Sequence, residues 1–244
     1  LSEAGEEAVV FVERQGAVAT IWINRPDVLN AISLEVKAAI VAAIEAADQD
    51  KDVGAIILAG RGRVFSSGAD RKLLAKLEHA GRTERVEAFE QGAKLTHAML
   101  NTETPIIAVL EGYAVGGGVS LALAADIILA AEKTIFFIPE VGLGIPFLWG
   151  STPMLAASLG MHRARNLVLT CDRFSVEDAE RWGLVRSIHP KEKLFDEAFK
   201  LAEHLAEMPR QAVARQKQMN TRLVLRYMEW LKDEIYLAFD DRSD

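Results

Sequence analysis

The chain has very little cysteine: one, Cys171, in 244 residues. A single thiol forms no internal disulfide, which excludes a disulfide-stapled scaffold and agrees with a reducing compartment. No stretch of about 18 uncharged apolar residues occurs, so no membrane-spanning helix is expected. Blocks of Lys and Arg are also missing. The 28 basic side chains are outnumbered by 35 acidic ones, for a net charge of -7. Neither nucleic acid nor an anionic membrane surface is therefore an expected partner. His79, His97, His162, His189 and His204 are scattered and lie near no cysteine cluster. That gives no metal-ligand spacing, and no metal or cofactor is expected. The acidic start LSEAGEEAVV has no signal-peptide pattern. The expected location is cytoplasmic, or an organellar matrix if a targeting segment has been removed.

Half of the residues are hydrophobic, enough for a sizeable core. AVVFVER (8–14) and AVATIWI (17–23) read as two strands of a hairpin. Ser33 is an N-cap candidate for the helix that follows it. VGAIILAG (53–60) and PIIAVLEG (105–112) are short apolar runs closed by glycine, as in buried parallel strands. Residues 84–101 have helical spacing, and 126–140 give two short strands. Ser175 and Asp178 open another helix, which Gly183 stops. Beyond that the pattern is helical, including 211–239. The order predicts an α/β core over 1–190 followed by a helical region over 191–244.

The most informative stretch is GYAVGGGVSLALAADI (112–127). Three glycines open a buried helix although each costs about 1 kcal/mol there relative to alanine. The stretch lacks the Gly-Lys-Ser/Thr ending of a phosphate loop and the sequel of a dinucleotide fingerprint. Two readings remain: close packing of helix on strand, or an oxyanion hole made by a helix-terminal N–H. A second donor is available in FSSGAD (65–70). Ser66 and Ser67 have no nucleophile elbow around them and read as turn residues. Asp70 reads as a cap for the helix at Arg71. Asp126 and Arg173 read as structural.

INRPDVLNA, VFSSGAD, EGYAVGGGVSLALAADI, FFIPEVGLG and LTCDRFSVEDAERWGLVRSI occur in that order. Together they resemble the crotonase superfamily, the enoyl-CoA hydratase/isomerase family, from about residue 8 to residue 190, with a helical continuation. The resemblance implies a ββα spiral core, C-terminal helices that build a homotrimer or a hexamer of two trimers, and an acyl-CoA thioester substrate. CoA is then part of the substrate and not a cofactor. By position the resemblance makes Ala69 and Gly117 the oxyanion donors. It places the CoA moiety at Asp27, Val28 and Leu29 and at Ser67, Ala69 and Asp70.

Hydratases of this family use two glutamates. Here one position holds Glu140 and the other holds Ser120. A serine hydroxyl is a poor base near neutral pH. One carboxylate suffices for a 1,3-proton shift, so the expected reaction is enoyl-CoA isomerisation, with hydration of a 2-enoyl-CoA as the alternative. A further alternative is a non-catalytic protein of the same fold that binds acyl-CoA or RNA. Phe147 and Trp149 stand where relatives carry small residues. They are expected either to wall the acyl pocket or to belong to the core.

Overall fold

The structure is a computed structural model that describes residues 8–228. The part of the expected 211–239 helix beyond residue 228 lies outside the described residues. Strands β1 (Val10–Gln15) and β2 (Val18–Ile23) form an antiparallel hairpin around Gly16, whose φ is 58°. Helix α1 (Leu34–Gln49) begins at Ser33, whose Oγ accepts the Val36 N–H at 3.2 Å. β3 (Ala55–Gly60), α2 (Arg71–Glu78), α3 (Arg82–Asn101) and β4 (Ile106–Leu110) follow. Then come β5 (Tyr113–Val115), α4 (Gly117–Ala124), β6 (Ile127–Ala131) and β7 (Ile135–Phe137). Gly160 divides the 150–170 region into α5 (Ser151–Leu159) and α6 (Met161–Thr170). The chain continues through β8 (Phe174–Ser175), α7 (Val176–Arg181), β9 (Ser187–His189), α8 (Lys191–Ala206) and α9 (Arg210–Met228).

The main sheet has six strands in the order β1-β2-β3-β4-β6-β9 and is parallel from β2 onward. Its alternation fixes two faces. Ile21, Ile23, Ile56, Leu58, Ile106, Ala108 and Leu110 pack with α1, α3 and α4 in one cluster. Val18, Ala55, Ile57, Ile107, Val109 and Leu129 pack under α8, through Leu194, Ala198 and Ala202, in a second. Both faces of the parallel strands are buried, so they read as unbroken apolar runs. The expected boundary after residue 190 falls between β9 and α8. Helix α8 nevertheless covers the second sheet face, and the two segments share one packing unit. A smaller sheet, β5-β7-β8, carries the chain into α4.

Helix α9 is tied down by polar contacts. Arg210 donates to the carbonyls of Asp48, Asp50, Lys51 and Val53. Lys217 pairs with Asp126 at 2.7 Å and also donates to the Thr104 carbonyl. Asp126 accepts the Ile106 N–H as well, so its role is structural, as expected. Arg173 lies over the Phe137 ring, also a packing role. Among the described residues no helix is long and apolar enough to cross a membrane.

Asn30 joins two loops that the site needs. It is fully buried with φ at 54°, a backbone region that asparagine tolerates better than most residues. Its Oδ1 accepts the Arg25 N–H, and its Nδ2 donates to the carbonyls of Arg61 and Val64. Its own carbonyl accepts the Ser66 hydroxyl at 2.8 Å. Asn30→Ala removes three hydrogen bonds to backbone groups, one of them buried and two part-buried, and is expected to destabilise the fold by about 3 kcal/mol. Urea unfolding of both proteins measures the difference.

Candidate active site

Strand β5 enters α4 through Gly116, whose φ is 49° and ψ is -114°, a combination open in practice to glycine alone. The three glycines there meet three different neighbours. A Cβ on Gly116 would run into the Glu140 carboxylate. On Gly117 it would lie 2.7 Å from the outer edge of the Trp149 indole. On Gly118 it would meet Ser66 at 3.0 Å. Close packing accounts for the missing side chain at each of the three positions.

The second loop arrives beside it. Ile32 and Ala69 form a parallel bridge in which the Ile32 N–H donates to Gly68 O and the Asp70 N–H to Ile32 O. In that geometry the N–H of Ala69 points away from Ile32. Gly68, at φ 87°, packs on Val115 O, and a Cβ there would be 3.5 Å from Gly117 N. The Ala69 and Gly117 loops are therefore adjacent. Neither N–H has a partner among the described residues. Gly117 is also the first residue of α4, where the helix leaves its N–H groups free and presents partial positive charge.

Glu140 follows β7 and starts a 3-10 turn, Val141–Leu143. Its Oε2 is buried without a hydrogen-bond partner. Burial raises its pKa from 4.5 to about 7, with its own backbone N–H pulling weakly the other way. A carboxylic acid poised there exchanges a proton readily in either direction at neutral pH. Ser120 is 1% exposed and carries no carboxylate chemistry. Ser151 Oγ donates to Ser120 Oγ at 2.6 Å, and Ser120 makes a long contact of 3.4 Å to Gly116 O.

The remaining expected residues divide. Asp27 and Val28 are exposed, and Leu29, at φ 55°, is half-buried. The turn they form is joined to the Ser67 loop by Ser67 N–H to Leu29 O at 2.9 Å and Ser67 Oγ to Val28 O at 3.4 Å. Asp70 is the exception. It is 6% exposed, one oxygen caps α2 at Lys72 N and the other takes Arg25 at 2.7 Å. It positions the loop and has no free oxygen directed at a CoA group. Phe147 is core, 2% exposed. Trp149 is buried as well but lies directly on Gly117. An open groove of about 470 Å³ runs between α2, α3 and the segment after Glu140, lined by Leu74, Leu77, Phe89, Leu143 and Ile145 together with Glu78 and Arg85.

Three further residues around the glycine turn lie outside the sequence motifs. Ser151 lies 31 positions from Ser120. Gly92, in the middle of α3, gives up its side-chain space to the indole of Trp149. Lys37, 3% exposed on α1, places its ammonium 4.5 Å from the centre of the Trp149 ring. Helical spacing alone hints at Lys37, because it precedes the buried Ile40 and Ile44 by three and seven positions.

A mixed α/β core in which a glycine turn opens a buried helix beside a buried carboxylate defines the class: folds of the crotonase kind. The profile of the family "Enoyl-CoA hydratase/isomerase" matches residues 13–237, and the chain belongs to that family. The "Probable enoyl-CoA hydratase, mitochondrial" of Dictyostelium discoideum is 38% identical over 208 residues, covering 84% of this chain and 73% of that protein. An enoyl-CoA hydratase subunit I from Geobacillus kaustophilus HTA426 superposes with a TM-score of 0.83 at 36% identity, over 97% of this chain and 92% of that one. An enoyl-CoA hydratase/isomerase from Xanthobacter autotrophicus Py2 reaches 0.89 at 26% identity, over 96% and 87%.

Gly116→Ala tests the turn. The methyl group would displace the Glu140 carboxylate and occupy a backbone region closed to alanine. Turnover of a CoA thioester is expected to fall about 100-fold or more, the usual loss when an acid/base group is misplaced. Steady-state kinetics on the folded variant, checked by circular dichroism, provides the measurement.

Proposed function

We propose that the protein acts on an acyl-CoA thioester, with the Ala69 and Gly117 N–H groups holding the thioester oxygen and Glu140 as the only carboxylate that moves protons. The observation that carries this reading is the buried, unpartnered Glu140 oxygen set against the glycine turn. Preorganised N–H donors in a water-poor site stabilise an enolate oxygen at no cost of reorganisation. The turn at Asp27 to Leu29 and the Ser67 loop hold the CoA moiety. The groove at Leu74, Phe89 and Ile145 takes the acyl tail.

Two reactions use these groups. Hydration of a 2-enoyl-CoA has the better support from the relatives, since the Dictyostelium and Geobacillus proteins are both named hydratases. In it Glu140 takes a proton from water as the oxygen bonds to the β-carbon. Electrons move onto the thioester oxygen, and Glu140 returns the proton to the α-carbon. Isomerisation, which the sequence favoured, finds no such support in those names. What speaks for it is the Ser120–Ser151 pair, where a second carboxylate would stand. In that reaction Glu140 removes the α-proton of a 3-enoyl-CoA and returns it to the γ-carbon.

Panels of 2-enoyl- and 3-enoyl-CoA of several lengths separate the two. In either case Glu140→Gln is expected to lower turnover about 100-fold or more. Wild-type kcat/KM is expected to rise with pH through about 7, as the carboxylate ionises. The same variant gives a stability test. Below pH 4.5 the acid is protonated folded and unfolded, so it contributes nothing. Between 4.5 and 7 only the folded protein holds the proton, and above 7 the charge is buried at full cost. Glu140→Gln should therefore match the wild type at pH 4 and exceed it at pH 8 by about 3 kcal/mol, as 1.36 kcal/mol per pKa unit requires. An unchanged pH dependence of unfolding would sink the assignment.

Assembly belongs to the same proposal. Met161 and Leu169 on α6 and Met219 and Leu223 on α9 are exposed, which is a surface suited to a trimer or a pair of trimers. Light scattering at micromolar concentration is expected to read at least three chain masses.

A further inference from the structure

Among the described residues two lysines are buried, and their surroundings differ. Lys217 has a carboxylate, Asp126, at 2.7 Å. Lys37 makes no ion pair among the described residues. Its ammonium donates to the Ala88 carbonyl of α3 at 3.0 Å and otherwise faces the Trp149 ring. Burial lowers its pKa to about 8. Packing alone does not call for a charge here, since methionine would fill the same space with no ammonium to desolvate.

Trp149 needs holding. Its φ is 65°, a left-handed conformation that is strained for a bulky residue. Its carbonyl accepts the Thr96 hydroxyl at 2.7 Å. One edge of its indole fills the space left open by Gly92 of α3, and the other edge rests on Gly117. A cation over the ring face adds an attraction that is strongest away from water. The three groups form a line from α1 to the start of α4: ammonium, indole, oxyanion glycine.

We propose that Lys37 is a positioning residue for the oxyanion hole, acting through Trp149 to fix the Gly117 N–H where the thioester oxygen binds. This rests on the acyl-CoA reading above. It assigns to a residue remote from the substrate a part in stabilising the enolate, and it ascribes the buried charge to activity in place of stability.

The test compares Lys37→Met, Trp149→Phe and the double variant on a 2-enoyl-CoA and a 3-enoyl-CoA, together with exchange of the α-protons of butyryl-CoA in D2O. Lys37→Met is expected to melt at or above the wild-type temperature. Its kcat and its exchange rate should fall about tenfold, while KM stays within twofold. Because both residues act along one line, the double variant should lose no more than the weaker single variant, a departure from additivity that independent packing damage would not produce. Lys37→Gln keeps a donor for the Ala88 carbonyl without the charge and should behave like Lys37→Met. It replaces that variant if Lys37→Met does not fold. Wild-type kcat in Lys37→Met or Lys37→Gln, or fully additive losses in the double variant, overturns the positioning role and leaves the acyl-CoA reading intact. A wild-type protein that neither turns over the enoyl-CoA panel nor exchanges the butyryl-CoA protons overturns both.

Discussion

The site depends on three consecutive residues without a Cβ. Gly116, Gly117 and Gly118 each admit one neighbour that a methyl group would exclude: the Glu140 carboxylate, the Trp149 indole and the Ser66 loop. These neighbours come from three separate parts of the chain. The turn brings together the proposed base, the wall behind the oxyanion donor and the loop that supplies the second donor. The cost is real, since glycine weakens a helix start and Gly116 occupies a conformation with little alternative use. That cost is offset by the burial of α4, all eight of whose residues are buried, against the main sheet and α5.

Burial then acts in opposite ways on the two kinds of polar group. It raises the proton affinity of Glu140, because the carboxylate loses water and gains only its own backbone N–H in exchange, with Oε2 left unpartnered. It leaves the Ala69 and Gly117 N–H groups neutral and strengthens their attraction for a charge that forms beside them. An acid that ionises near neutral pH and donors that gain value as an enolate forms are two consequences of the same removal from water. The Ser120–Ser151 pair, equally buried, satisfies itself internally. It therefore stays neutral and adds no second titrating group.

Much of the fold is legible in the sequence because local chemistry decides it. Ser33 and Ser175 cap their helices, Gly183 ends one at φ 80°, and the apolar runs at 55–60 and 106–110 become central strands. The glycine triplet, Glu140, Ala69 and the 27–29 turn are likewise visible as motifs, and the structure sets the triplet against Glu140 and beside the Ala69 loop. What is illegible lies in pairs set by tertiary packing. Nothing near Ser120 announces Ser151, and nothing in α3 says that Gly92 makes room for an indole. Asp70 reads correctly as a cap. Its pairing with Arg25 is not legible, because a single sequence does not show which cation a carboxylate meets. Phe147 and Trp149 stand four and six positions beyond Leu143, yet only Trp149 reaches the glycine turn. Backbone at positive φ sets that direction, and a tryptophan gives no warning of it.

Family membership fixes the parts of the chemistry that the shared residues perform and no others. Under the proposed reading, the Ala69 and Gly117 loops and Glu140 stabilise the enolate, all of them groups that are present in this chain. Water activation by a second glutamate does not follow, because position 120 holds a hydroxyl. If hydration occurs, its proton inventory closes on Glu140 alone: one proton taken from water and the same proton delivered to the α-carbon. A 1,3-shift closes on the same residue with two carbons and no water. Both reactions thus run through one carboxylate and one enolate, and they differ only in whether water or a second carbon of the substrate stands next to Glu140. The choice between them is set by how the substrate fills the space beside the carboxylate, not by a further titrating residue.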